Sequence, residues 1–179
     1  MKRVLGNEFF DRPTLTVARE LIGKFLVRRY GGKTIALMIT ETEAYNGFKD
    51  LASHARRGKT PRNTPMYARA GTIYVYFTYG MHWMLNLVCG RAEYPAAVLI
   101  RGAGDVVGPA RLTKALAIDK TLNTKMLGKK SGLWVEDRGV VVRPTDIERT
   151  PRIGIDHAGE VWAHKPWRFV LRQTFRVLE

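Results

Sequence analysis

The sequence predicts an α+β fold in one domain spanning residues 1–179, a mixed, mostly antiparallel, curved sheet with peripheral helices and a protruding β-hairpin. Three observations lead there. Most of the apolar, β-branched runs come in pairs separated by glycine-containing turns, which is the pattern of hairpins. Apolar residues at helical spacing occur in only two stretches, and these do not alternate with strands as a βαβ protein requires. No repeat, low-complexity tract or linker divides the chain, whose 179 residues suffice to bury one core without a disulfide or metal.

From the N-terminus, Pro13 to Ile22 places Leu15, Ala18, Leu21 and Ile22 on one helical face and stops at Gly23, predicting a short amphipathic helix. Lys24 to Tyr30 and Lys33 to Glu43 read as strands around Gly31-Gly32, a dipeptide that tolerates the positive backbone angles of a tight turn. Asn46 to Tyr67 is rich in Gly, Pro and basic residues (Arg56, Arg57, Lys59, Arg62) and is expected to be a long surface loop, often a functional element in a compact domain. Thr72 to Thr78 and Met81 to Val88 form the next hairpin, turning at Tyr79-Gly80, and Ala97 to Arg101 is a further strand. Gly102 to Gly108 has glycines one residue off a dinucleotide loop and no βαβ unit around it, so it reads as a turn. Pro109 then suits the first position of a helix to Ile118. Beyond it the pattern thins: Lys120 to Lys130 is polar, Gly139 to Arg143 reads as a strand, and Trp167 to Arg172 closes the sheet.

Composition narrows the classes of function. Thirty Lys and Arg against sixteen Asp and Glu give a net charge of +14 and a pI near 10.3, a balance that draws polyanions, with nucleic acid first among them. The basic residues are spread along the whole chain, which argues for a charged face on the folded body rather than a tail. No apolar run approaches membrane-spanning length, the first residues lack the apolar stretch of a secretory signal, and Cys89 is the only cysteine. A soluble intracellular protein is expected, with no membrane partner. Neither a metal nor a cofactor is expected: His54, His82, His157 and His164 have no ligand spacing, and the zinc signature of the base deaminases is absent.

Against this basic background the run Thr40-Glu41-Thr42-Glu43-Ala44-Tyr45 stands out. Strand alternation puts Ile35, Leu37, Ile39, Glu41, Glu43 and Tyr45 on one face, so carboxylates sit at the end of an apolar strand on its buried side. An arbitrary pair of glutamates more often ends a strand in solvent. The aromatic set that follows, Tyr67, Tyr74, Tyr76, Phe77, Tyr79 and Trp83, either fills a core or lines a pocket for a flat ring. Tyr79 resists the core reading, because a turn beside Gly80 holds it in water, where a ring on a basic protein can wedge between stacked bases. His54 reads equally as a surface histidine or as a hydrogen-bonding group in a pocket. Ser53 beside it is a poor nucleophile partner, since neighbours on an extended chain point apart.

These segments together resemble the alkyladenine (3-methyladenine) DNA glycosylase family, in its antiparallel-sheet α+β branch, from about Pro13 to Arg172. The blocks that carry the resemblance are Glu41-Thr42-Glu43-Ala44-Tyr45, Asp50-Leu51-Ala52-Ser53-His54, Thr60-Pro61-Arg62-Asn63 and Gly71-Thr72-Ile73-Tyr74-Val75-Tyr76, running into Tyr79-Gly80-Met81-His82. Asn86, Ala97-Val98-Leu99-Ile100-Arg101, Gly108-Pro109, Pro151-Arg152-Ile153-Gly154-Ile155 and Pro166-Trp167-Arg168-Phe169 follow in order. The resemblance implies a monofunctional glycosylase acting on double-stranded DNA that contains a damaged purine, for which one wedge and one pocket would work as a monomer. It implies Glu43 as the base that activates water, Arg101 and the main chain near Ile155 as partners of that water, and Tyr45, His54 and Tyr76 around the everted purine. It further implies that Asn86 obstructs the amino group of guanine and that Tyr79 replaces the extruded nucleotide. Met84 stands where relatives often have Cys, Ala110 and Ala117 where Gly is usual, and Gly102 where Ala is common. The rival readings are a non-catalytic basic module with an aromatic base pocket, and a transferase of the same general fold.

Overall fold

The computed structural model describes residues 2–172, in which ten strands and four short helices follow one another as β1 (Arg3–Val4), α1 (Asn7–Phe10), α2 (Thr14–Glu20), β2 (Phe25–Tyr30), β3 (Lys33–Asn46), β4 (Ile73–Thr78), β5 (His82–Val88), β6 (Ala96–Ala103), β7 (Val106–Val107), α3 (Pro109–Ala115), β8 (Leu133–Asp137), β9 (Ile147–Thr150), α4 (Glu160–Ala163) and β10 (Arg168–Leu171). All strand pairs are antiparallel and the sheet is open, in the order β1-β8-β2-β3-β6-β5-β4, with β10 paired to β3 and β9. This is the expected α+β domain.

At 14 residues β3 is long enough to serve two sets of neighbours. Its first half completes the Gly31-Gly32 hairpin with β2, and its second half lies between β6 and β10. The switch between them corrects the face assignment read from the sequence. Ile39 pairs with Ala103, but Thr42 pairs with Ile100, three residues further along each strand, and all but Thr42 belong to the main core. Unbroken alternation would repeat at two residues, so each strand carries one extra residue, at Thr40-Glu41 and at Arg101-Gly102, and the two slips cancel in register. Upstream, Ile39 faces the core. Downstream, Thr42 and Ala44 do, and Glu43 and Tyr45 turn to the opposite side. The strand also runs on to Asn46, so Glu43 lies within it rather than at its end.

The main core gathers Ile39, Ala44, Val98, Ile100 and Phe169 from the sheet, closed by Val17, Ala18 and Leu21 of the α2 region and by Leu112 and Leu116 of the α3 region. Pro109 opens α3 as expected. Ala117, just beyond it, has φ of 46°, a left-handed conformation that glycine would adopt without strain. Two sequence readings change. Gly139 to Arg143 forms no strand: Val142 packs on the core and beside Gly23, and Pro144 opens a 3-10 turn. The strand is instead Leu133–Asp137, whose Leu133 and Val135 are buried and which bridges β1 and β2. The segment from Asn46 to Tyr67 is also more anchored than a surface loop. Asp50, Ala52, Ser53, Ala55, Asn63, Met66 and Tyr67 are buried in it, and the Asn63 side chain donates to the carbonyls of His54 and Gly58.

Candidate active site

Where the slipped strands turn their second face away from the core, a pocket of about 470 Å³ opens, lined by Tyr45, His54, Tyr76, Asn86, Arg101 and Ile155, with Tyr79 at its rim. Each element supplies alternate residues. Tyr76 comes from β4, Met84 and Asn86 from β5, Leu99 and Arg101 from β6, and His54 from the 3-10 turn that follows Ser53. Glu43 lies beneath this lining with no exposed surface. All eight residues singled out in the sequence therefore meet at one place.

The Glu43 carboxylate accepts a hydrogen bond from the Tyr45 hydroxyl at 2.9 Å on Oε2 and from the Ile153 amide at 2.8 Å on Oε1. Its nearest cation is Arg101, whose Nε is 3.4 Å away but makes its closer contact, 2.8 Å, with Glu41. Burial pushes the Glu43 carboxyl above the usual carboxylate range, a rise to which Glu41 adds, while Arg101, the Ile153 amide and the Tyr45 hydroxyl oppose it. The residue near Ile155 that reaches the carboxylate is thus Ile153, and Ile155 itself is a buried wall residue.

The walls are aromatic. The His54 and Tyr76 rings meet edge to face at 4.6 Å, and His54 Nδ1 lies 3.1 Å from the Tyr74 hydroxyl. Burial in the pocket wall, with Arg62 and His157 nearby, holds the His54 imidazole down, at about 4, so it is neutral at physiological pH although the residue keeps exposed surface. Burial likewise pushes the Tyr45 and Tyr76 phenols up, the latter to about 12. Asn86 is buried and donates to the Tyr74 carbonyl. Arg56, Arg57 and Arg101 line the pocket, and no acidic side chain does among the described residues. Those residues also hold no cluster of three or more His, Cys, Asp or Glu that could bind a metal ion, and no helix among them is long and apolar enough to cross a membrane.

Tyr79 is 80 % exposed at the tip of the β4–β5 hairpin, with Phe77 and Met81 exposed beside it. Its φ of 51° and that of Gly80, 66°, with the Met81 amide bonded to the Thr78 carbonyl, make the turn that suits a two-residue hairpin. A tyrosine at the first of those positions costs about 1 kcal/mol or more in backbone strain.

Sequence reasoning missed the residues that hold the site together. Arg152 forms a fully buried bidentate pair with Asp50 at 2.6 and 2.9 Å, donates to the Ala44 carbonyl and lies 4.8 Å from the Tyr45 ring. This pair fastens the segment bearing Ile153 to β3. Arg168 reaches Glu41 at 2.6 Å from β10. These contacts join residues about a hundred positions apart, which no local pattern reveals.

Comparison with known proteins places the chain. The profile of the methylpurine-DNA glycosylase family matches residues 8–107 and 104–174. Proteins from Methanocella arvoryzae and Anaeromyxobacter sp., each named "Putative 3-methyladenine DNA glycosylase", are each 44% identical to it over 93% of this chain and over 91% and 88% of their own lengths. One from Psychrobacter cryohalolentis with the same name is 41% identical over 92% of this chain and 89% of its own. With the match covering nearly its whole length, the chain belongs to the methylpurine-DNA glycosylase family.

Proposed function

We propose that this protein hydrolyses the N-glycosidic bond of alkylated or deaminated purines, such as 3-methyladenine and hypoxanthine, everted from duplex DNA, and so initiates base excision repair. The observation that carries the reading is a carboxylate with no exposed surface, Glu43, under an aromatic pocket on a protein of charge +14. The relatives' names point to the same substrate class.

Water adds to the sugar C1′ and gives its proton to Glu43, while the glycosidic bond breaks and its electron pair leaves with the purine. Positive charge develops on the sugar in the transition state, as in glycoside hydrolysis, and the same carboxylate stabilises it. An alkylated purine already bears positive charge and departs without an acid, whereas hypoxanthine departs as its anion and takes a proton from solvent. Arg101 holds the water beside Glu43, and the Ile153 amide fixes the carboxylate. Tyr45, His54 and Tyr76 enclose the flat base, Asn86 crowds the amino group of normal guanine, and Tyr79 occupies the gap left in the duplex. The arginines at the pocket mouth meet the phosphate backbone. One wedge and one pocket work as a monomer.

The test is release of free base from duplexes carrying hypoxanthine or 3-methyladenine. Wild type is expected to leave abasic sites, and Glu43→Gln to bind the lesion with release reduced by about 10²–10⁴-fold. Lesion binding without release by wild type would make this a base-binding module instead. Normal release by Glu43→Gln would remove Glu43 as the base.

A further inference from the structure

Arg101 makes its strong hydrogen bond to the wrong carboxylate for a group whose only task is to neutralise Glu43. Its Nε lies 2.8 Å from Glu41 Oε1 and 3.4 Å from Glu43 Oε1. Glu41 is itself buried, and the same oxygen also accepts from Arg168 at 2.6 Å, whose guanidinium donates in addition to Thr150. The extra residues of β3 and β6 are Thr40 and Arg101, with Glu41 paired to Gly102 between the two slips, and the irregularity brings Glu41 and Arg101 into contact beside Glu43. A methyl group on residue 102 would sit 3.2 Å from the Glu41 Cβ, so glycine at this position leaves the Glu41 side chain the space it occupies.

We infer that Glu41 is a positioning residue of this site: it draws the Arg101 guanidinium toward itself and leaves the Glu43 carboxylate incompletely neutralised and able to take a proton from water. This rests on Glu43 being the base. An arginine free to pair with Glu43 bidentately would hold its oxygens in a strong, charge-assisted contact and blunt their basicity. Glu41 prevents that, and Arg168 limits how hard Glu41 pulls. The other groups around Glu43 are accounted for: Tyr45 on β3 donates to it, Tyr76 on β4 faces it, Arg168 stands opposite it in the ladder with β10, and Arg152 is consumed by Asp50. His54, across the pocket, is held neutral by its surroundings.

The experiment is the pH dependence of single-turnover hypoxanthine release from a duplex by wild type, Glu41→Gln, Arg168→Gln and Glu43→Gln. Glutamine at 41 keeps an acceptor for Arg101 but removes the charge that competes for it. The acidic limb is then expected about one pH unit lower than in wild type. Arg168→Gln leaves Glu41 with Arg101 as its sole cation, and its limb is expected to move the opposite way. Limbs that coincide with wild type in folded, lesion-binding variants, or that move in the same direction, overturn the inference, because a merely structural role lowers the plateau without moving the limb. Should Glu41→Gln not fold, Arg168→Gln decides alone: an upward limb supports the inference and any other result overturns it. Wild-type release by Glu43→Gln would overturn the general-base reading as well. Loss of release in that variant with unmoved limbs in the others overturns only the role of Glu41.

Discussion

Glu43 and Asp50 are both carboxylates with no exposed surface and are close in sequence, and their partners differ in completeness. Asp50 has a bidentate arginine of its own and accepts the amides of Asn46 and Ala52. Glu43 has one amide, one phenol and an arginine whose closer contact is elsewhere. A carboxylate whose acceptor sites are all filled by its own chain serves as a rivet. One left short of partners is available for chemistry, and its raised pKa comes first from burial, which Arg101, the Ile153 amide and the Tyr45 hydroxyl only partly offset.

Substitutions should separate the two. Asp50→Ala strands the Arg152 guanidinium without its counter-ion and is expected to cost about 3–5 kcal/mol of stability, measured by urea denaturation. Glu43→Gln should be at least as stable as wild type at neutral pH. A carboxyl whose folded pKa is raised contributes stability that is complete below its unfolded pKa and is lost as pH rises through the folded one, and glutamine has no ionisation to oppose. Equal destabilisation by both changes would break the comparison.

A smaller effect probes the incomplete partner set directly. Tyr45→Phe removes a hydrogen bond to the ionised form of Glu43, so its pKa should rise further and the acidic limb of the excision profile should move to higher pH by about one unit. A limb moving down would show that the phenol does not steady the anion. The smallest change concerns a side chain with no hydrogen-bond partner in its own chain among the described residues. Tyr79→Gly should relieve the left-handed strain and gain about 1 kcal/mol, while release from intact duplex falls about tenfold and release from single strands is kept. Equal loss on both substrates would refute the wedge.

Much of this was legible because it is local. Hairpins at Gly31-Gly32 and Tyr79-Gly80 are written in turn chemistry, without reference to anything distant, whereas the pocket roles of Tyr76 and Asn86 come from the family resemblance. Recognition of Glu43 owed most to the ordered blocks of the family, since alternation alone assigned it to the same face as Ile39. The illegible part is what depends on a partner far along the chain. Leu133–Asp137 is a strand because β1 and β2 flank it, whereas Val140 to Val142 is a β-branched run that meets no ladder. The cancelling slips of β3 and β6 appear only when the two strands are laid side by side, and the Asp50–Arg152 rivet only when the chain has closed on itself.

The paired slips constrain how such a protein can change by descent. Losing a single codon from either strand between the core half and the pocket half would turn Glu43, or its neighbours across the ladder, into the oily interior. A lineage can therefore exchange residues around this pocket one at a time, yet it can alter the length of the two strands only by matched deletions, and the spacing from Ile39 to Glu43 is expected to be inherited as a fixed unit.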